Sequence, residues 1–546
     1  MLFAIVVGVF HSYLLRSYIE GDGIPYLDIG DLVFQGRWEA LVNGIWSPLY
    51  AIVQGLFLFL FKPSYQMEST IVHFANFSIY MLSFLAFDFF LSQFIVSYKK
   101  NNLHSIKDNS YLLSEETLTL IGYSLFIWSS MNMLHTSRIT PDVFVTAFIY
   151  LAFGILLRIN SGSLNLANFI MLGVVLGLGY FTKEVFFLMA FIFLFAGFVS
   201  VYKSKAGLLK MIVALFTFVV ISSPLIIALS KEKGYFTFGE TGKLNYHWYI
   251  NPNPCNYIHR GFPGCKKLVH PVREIYDEPR LIEYSYPLPV TYPLIHDPSY
   301  WSEGTTPYFD IKGQIIALVK NIRELFKLFL YDQNVLIVLF LILFFLQERK
   351  VEFFREARRK WLLFIPAVIP VLIYLLVHLE SRYIGAFLVV FWLVLFSSVK
   401  LKYFSNVKRV TSLLAVVLVF SLNIMSVFSK DLEENYQAAK DEIIDWQIAE
   451  KLEKAGIKKR DKVAIIGNYY DHLYWARLLK VQIIAEIFDE PVYEFWAASD
   501  HVKSQVFKTL KQYGIKTVVT EKIPSYASNA KWENINGTSY YFYKLQ

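Results

Sequence analysis

The chain has 546 residues, of which 55% are hydrophobic and 18% aromatic, and a formal net charge of +8. Soluble chains carry roughly 45–50% apolar residues, so this composition excludes an ordinary soluble domain. A basic balance raises nucleic acid as a partner. Here the Lys and Arg residues cluster in short loops between apolar runs, which membrane topology explains without any nucleic acid.

A transmembrane helix needs about 20 mostly apolar residues. The chain opens on an apolar run, Met1 to Val9, followed by His11 and Arg16 with no small-residue cleavage site, and this reads as a retained first span. Spans are predicted over 1–19, 69–97, 117–134, 143–158, 166–181, 185–202, 209–229, 331–347, 361–377, 384–399 and 409–428, about eleven in all. Asp28 to Asn43 mixes charges with Leu32, Val33, Phe34, Trp38 and Leu41 and reads as one amphipathic helix on the membrane surface. Ser47 to Phe61 is apolar but short, opened by Pro48 and closed by Lys62-Pro63, and suits an interfacial or re-entrant helix.

Orientation follows from the cations. With the N-terminus cytoplasmic, Lys99, Lys100, Arg158, Lys203, Lys205, Arg358, Arg359, Lys360, Lys400 and Lys402 all fall inside. The short outer loops then hold only Arg37, Arg138, Lys183 and Arg382, besides Lys62 at the interface. Two polar regions lie outside. The loop 231–331 is rich in Pro, Tyr, Trp and His and reads as folded. Cys255 and Cys265 sit in it, where a disulfide is compatible with an extracytoplasmic loop; a metal reading with His259 falls one ligand short. The tail 430–546 reads as a charged helix over 431–456, then strand 462–467, helix 469–479, strand 480–486, helix 499–514 and strand 515–520, a small α/β domain without a G-x-G-x-x-G dinucleotide signature. The division is therefore 1–429 for the membrane region and 430–546 for an extracytoplasmic accessory domain.

Charged groups at a membrane boundary persist mostly where they serve a site or find a partner. The first outer loop runs Glu20-Gly21-Asp22-Gly23-Ile24-Pro25-Tyr26-Leu27-Asp28-Ile29-Gly30-Asp31. A carboxylate there suits a general base, and Asp22 is open between that role and a solvated cap, whereas Asp28 and Asp31 read as caps. In His135-Thr136-Ser137-Arg138-Ile139-Thr140-Pro141-Asp142, Thr140 can cap a helix, Pro141 fits its first turn and the helix dipole favours Asp142. Lys183 defies the charge rule and suits a lipid phosphate or a pairing with Glu184. Glu380 and Arg382 can pair, and the planar fork of Arg also suits phosphate. All four outer loops thus carry charge, and carboxylate plus cations is what transfer from a phosphate-linked donor requires.

Taken together these motifs resemble the GT-C superfamily of membrane glycosyltransferases, which includes protein O-mannosyltransferases and aminoarabinose transferases. Asp22 and Tyr26 stand where the family has its loop Asp and a nearby Tyr, and the 28–43 and 47–61 segments resemble its juxtamembrane helices. Thr140-Pro141-Asp142, Gly179-Tyr180-Phe181-Thr182-Lys183 and Glu380-x-Arg382-Tyr383 are similar to its second-loop, G-x-x-x-K and E-x-R-Y motifs. Thr241-Gly242-Lys243-Leu244-Asn245-Tyr246 and Asp297-Pro298-Ser299-Tyr300-Trp301 resemble a bacterial glycosyltransferase-like subgroup. Asp22-Gly23 departs from the paired acids common in that loop, so a bound divalent metal is not supported.

The resemblance implies a polytopic α-helical membrane protein in the bacterial plasma membrane. It implies inverting transfer of a sugar from a polyprenyl-phosphate donor to an extracytoplasmic glycan, lipid or protein acceptor. Asp22 is then the general base, and Asp142 is the second catalytic candidate, although Asp22-Gly23 in place of paired acids does not support a two-carboxylate mechanism. Lys183 and Arg382, with Arg138 as a weaker third, bind the donor phosphate. Asp142 and Glu380 orient those cations or the acceptor, and Tyr26 and Tyr383 shape the sugar pocket. A lipid-linked glycan flippase, favoured by the mid-span Asp88, and a non-catalytic sugar-binding membrane protein are the rival readings.

Overall fold

Backbone polar groups that face hydrocarbon must be satisfied within one segment, so long apolar runs in such a chain fold as helices. A computed structural model describes residues 2–17, 19–102, 110–251, 272–284, 286–297, 300, 307–347, 349–402, 406–429, 443–467, 473–487, 494–527, 531–535 and 537–545. Cys255 and Cys265 lie outside the described residues, as do 431–442 of the expected charged helix, which is seen over 443–454.

The longer helices before the tail, in chain order, are α1 (Leu2–Leu14), α2 (Gly23–Val33), α3 (Pro48–Phe61), α4 (Tyr65–Asn102), α5 (Glu115–Asn132), α6 (Asp142–Asn160), α7 (Leu166–Thr182), α8 (Phe186–Val201), α9 (Lys205–Lys233), α10 (Thr241–Tyr249), α11 (Ile311–Lys327), α12 (Asn334–Phe345), α13 (Lys350–Arg359), α14 (Trp361–Val377), α15 (Ser381–Ser397) and α16 (Val407–Val427); the tail adds Tyr474–Leu479 and Asp500–Gln512. A helix stands at every place where a span is predicted. By length and composition, 4 of the described helices can cross a membrane, or up to 6 if the two bent pairs each count as one span. The bends are 78° before α12 and 84° between α13 and α14. The apolar helices α1, α3, α7, α8 and α15 are shorter, at 10–17 residues. Outward apolar side chains such as Leu209, Phe216 and Ile227 on α9 leave a surface suited to lipid. The chain is an integral membrane protein on these grounds.

The surface helix expected over 28–43 is different in the structure. The helix begins at Gly23, ends at Val33 and is almost wholly buried. It packs on α3 through facing glycines, since a Cβ on Gly30 would lie 2.7 Å from the Gly55 Cα. Asp28 and Asp31 therefore do not act as caps; their partners come from the far end of the chain. The mid-span Asp88 is also partnered, accepting a hydrogen bond from the Tyr123 hydroxyl.

The polar segments form one seven-stranded sheet in the order β2-β3-β6-β5-β7-β9-β8. Strands β5 (Lys462–Ile466), β6 (Gln482–Ile487) and β7 (Ile515–Thr520) are parallel and apolar, as centre strands covered on both faces must be. The antiparallel pair β2 (Val272–Tyr276) and β3 (Leu281–Tyr284) comes from the 231–331 loop and joins through β3 to β6. On the other edge lie β8 (Glu533–Asn534) and β9 (Tyr541–Lys544). At the opposite end of the helices, β1 (Ser110–Leu112) pairs with β4 (Lys400–Lys402), tying two of the Lys-rich loops together.

Candidate functional site

The helix ends near the sheet converge on one cavity of about 480 Å³. Asp22 is the N-cap of α2, Asp142 opens α6, Lys183 is the C-cap of α7, and Glu380 is the N-cap of α15, with Arg382 and Tyr383 in its first turn. All six line the cavity, together with Tyr26. The first and second loops approach closely because residue 23 is glycine; a Cβ there would come within 2.8 Å of the Ile139 Cβ.

The centre of the site is Asp142, only 3% exposed. Lys183 Nζ lies 2.5 Å from its Oδ1, and Arg382 Nη1 lies 3.6 Å from its Oδ2. Arg382 Nε also donates to Glu380 Oε2 at 2.5 Å, and His378 Nε2 is 2.9 Å from Glu380 Oε1. The Tyr383 ring sits under both cations, with Lys183 Nζ 4.2 Å and Arg382 Cζ 5.2 Å from its centre. Tyr383 stacks on Tyr374, and Tyr249 stacks on His378 at 3.9 Å. On the other wall, Tyr26 packs edge-on against Trp46 and Tyr50.

Electrostatics follow from this packing. Burial alone would raise the Glu380 carboxyl, but His378 and Arg382 outweigh it and hold the group well below the carboxylate range. Burial lowers the Lys183 ammonium, opposed chiefly by Asp142. Glu20 is pushed up to about 7 by burial and then by its neighbour Asp22.

Two local expectations are corrected. The N-cap of α6 is Pro141, with no side-chain cap bond, so the capping account of Thr140-Pro141-Asp142 does not hold and Asp142 instead pairs with the two cations. Lys183 does not pair with Glu184; the Glu184 Oε2 accepts from the Thr241 backbone N–H at 2.7 Å, at the start of α10. Arg138 is not among the cavity-lining residues; its carbonyl accepts from Asn76 Nδ2 at 2.9 Å. Residues not named as site candidates from the sequence also line it: His378, Tyr374, Trp248 and Tyr249, and Glu184, which the sequence offered only as a partner for Lys183. His378 and Glu184 had a signal, their places beside Glu380 and Lys183 in short outer loops. Among the described residues, no three His, Cys, Asp or Glu side chains form a metal-ligand group.

Glu184 yields a stability prediction. Burial pushes its carboxyl up to about 7 against the hydrogen bonds from Thr241 and Gly242. A raised folded pKa means the contribution is full below the ordinary value near 4.5 and is lost as pH rises through 7. The shift corresponds to about 3 kcal/mol. Glu184→Gln keeps an acceptor for Thr241 but cannot ionise. Thermal unfolding of the wild type should lose stability between about pH 5 and pH 8, and the Gln variant should show a flatter profile. Parallel profiles would refute the assignment.

No family model matches the chain, and no curated protein matches it by sequence. Among solved structures, the fold is similar to ArnT from Cupriavidus metallidurans in the apo state, with TM-score 0.52 and 10% identity, covering 100% of this chain and 97% of that one. The same ArnT bound to undecaprenyl phosphate gives 0.49 and 11% over 100% and 97% of the two chains. An Archaeoglobus fulgidus oligosaccharyltransferase in complex with Zn and sulfate gives 0.46 and 11%, over 95% of this chain and 67% of that one. The likeness to apo ArnT runs the length of both chains, and this protein shares the fold of that structure.

Proposed function

We propose that the chain is an inverting glycosyltransferase that moves a sugar from a polyprenyl-phosphate donor to a hydroxyl acceptor on the outer side of a bacterial plasma membrane. The observation that carries this is one cavity holding a carboxylate, Asp22, together with two cations that share a single counter-ion, Asp142. Asp22 takes the proton of the acceptor hydroxyl as its oxygen attacks the anomeric carbon from the face opposite the phosphate. The bond from that carbon to the phosphate oxygen breaks, and the charge gained by the leaving polyprenyl phosphate is met by Lys183 and Arg382. Those donors are held in place before the reaction by Asp142 and Glu380. Tyr26 and Tyr383 offer ring faces to the sugar. The Lys-rich loops at the opposite helix ends support a cytoplasmic N-terminus and an extracytoplasmic sheet.

The test is turnover. The full chain in lipid nanodiscs is incubated with a panel of labelled undecaprenyl-phosphate sugars and a bacterial envelope extract as acceptor source. Release of undecaprenyl phosphate that depends on both is the expected result. Binding without release across the panel would favour the non-catalytic reading, and movement of intact donor between leaflets the flippase.

Arg382 gives a second measurement. Arg382→Met removes a charged fork, and hydrogen bonds to charged groups contribute about 1.5–3 kcal/mol. Undecaprenyl phosphate affinity should fall roughly 10- to 100-fold. Arg382→Lys should recover only part of it, because an ammonium does not reproduce the fork. Equal affinity in all three proteins would remove Arg382 from the donor site.

A further inference from the structure

Five charges meet where the sheet domain rests on α2 and α4. Arg477 is 1% exposed. Its Nη1 lies 2.8 Å from Asp28 Oδ1, its Nη2 2.8 Å from Asp31 Oδ2 and its Nε 3.0 Å from Glu68 Oε1. Lys480 Nζ reaches Asp31 Oδ2 at 2.6 Å and Glu68 Oε2 at 3.1 Å. The loop that supplies β2 and β3 grips the same place: Thr291 donates its N–H and hydroxyl to Asp28 at 2.7 and 2.9 Å. Trp46 Nε1 donates to the Ile295 carbonyl at 3.0 Å.

Desolvating this many charges offsets most of their attraction, so such a cluster is a poor source of net stability; what it supplies is a unique geometry. That geometry belongs to α2. Asp28 follows Asp22 by six residues on one helix, a separation of roughly 9 Å along the axis at 1.5 Å per residue. A turn or slide of α2 at Asp28 therefore moves Asp22 and Tyr26 in the cavity wall. Trp46, tied to the same loop, packs on Tyr26 with ring centres 5.2 Å apart. Lys183 and Arg382 stand on other helices, α7 and α15, and are not held by this cluster.

We propose that Arg477 and Lys480 are positioning residues for the transfer reaction: the sheet domain sets the register of α2 and with it the placement of Asp22, without touching substrate. This rests on the transfer reading above.

The experiment compares wild type, Arg477→Lys, Arg477→Met and Lys480→Met as full chains in lipid nanodiscs. Three quantities are read: backbone hydrogen exchange in residues 23–33, undecaprenyl phosphate affinity, and transfer rate at saturating donor. Lys480→Met, which leaves Arg477 in place, should keep the affinity within about twofold while exchange in 23–33 rises and transfer falls roughly 10- to 100-fold, as misplacement of a reacting group does. Arg477→Lys should restore exchange protection relative to Arg477→Met. Unchanged exchange in Lys480→Met and both Arg477 variants overturns the proposal, as does a transfer loss that only tracks the folded fraction or moves together with donor affinity. The exchange and affinity readings need no turnover. If wild type transfers nothing while exchange in 23–33 still depends on these residues, the transfer reading fails and the clamp stands.

Discussion

Asp22→Asn should lower transfer by roughly 10²- to 10⁴-fold, the range a positioned general base contributes, while undecaprenyl phosphate binds as in the wild type. The amide matches the carboxylate in shape but does not take a proton from an acceptor hydroxyl. Although Asp22 is the N-cap residue of α2, its side chain makes no cap hydrogen bond there, so the substitution removes no helix cap. The loss is expected in turnover, with the α2 cap unaltered. The measurement is release of undecaprenyl phosphate from labelled donor, alongside binding of the unlabelled lipid phosphate. Undiminished release by the Asn variant would end the assignment of Asp22 as base. Loss of binding in step with turnover would place Asp22 in donor recognition.

Asp142→Asn tests the other half of the site, and the effect is expected in stability. Removing one partner of a buried ion pair costs about 3–5 kcal/mol because a charge is left uncompensated. Here one carboxylate serves two cations, Lys183 and Arg382, and only Arg382 has a second carboxylate in Glu380. The variant should unfold at a clearly lower temperature. A phosphate bound at the same cations supplies the missing negative charge, so added undecaprenyl phosphate should raise the variant's unfolding temperature by more than it raises that of the wild type. An equal or smaller rise would show that the lipid phosphate does not sit on Lys183 and Arg382.

Much of the architecture is legible in the chain. Helices stand wherever apolar runs approach bilayer length, and the strands at 462–466, 482–487 and 515–520 lie within a residue or two of their predicted bounds. These are cases in which a local property, continuous apolarity or a short β-branched run, coincides with what the fold requires. The strands β2, β3, β8 and β9 are not legible in this way. They are short or mixed in pattern, and they exist because the edges of a parallel core needed partners from other parts of the chain.

The site divides along the same line. Asp22, Lys183, Glu380 and Arg382 stand out because charges at the ends of apolar segments are costly and few. Asp142 looks locally like an ordinary helix-start residue, and Glu184 like a partner for the lysine beside it. Both readings use only neighbours in sequence, and both give way to partners from other loops. Arg138 illustrates the reverse: it breaks the same charge rule as Lys183 and Arg382, yet it is not among the residues that line the cavity.

The class of molecule, the placement of its helices and the short loops that hold its costly charges are readable from the chain, because hydrocarbon imposes length and satisfaction rules one segment at a time. Which of those charges face one another depends on how segments far apart in the chain pack together. Asp28 and Asp31 read as caps because Arg477, the partner of both, lies 449 residues from Asp28. No local pattern encodes a pairing across such a distance; it follows from where the sheet comes to rest.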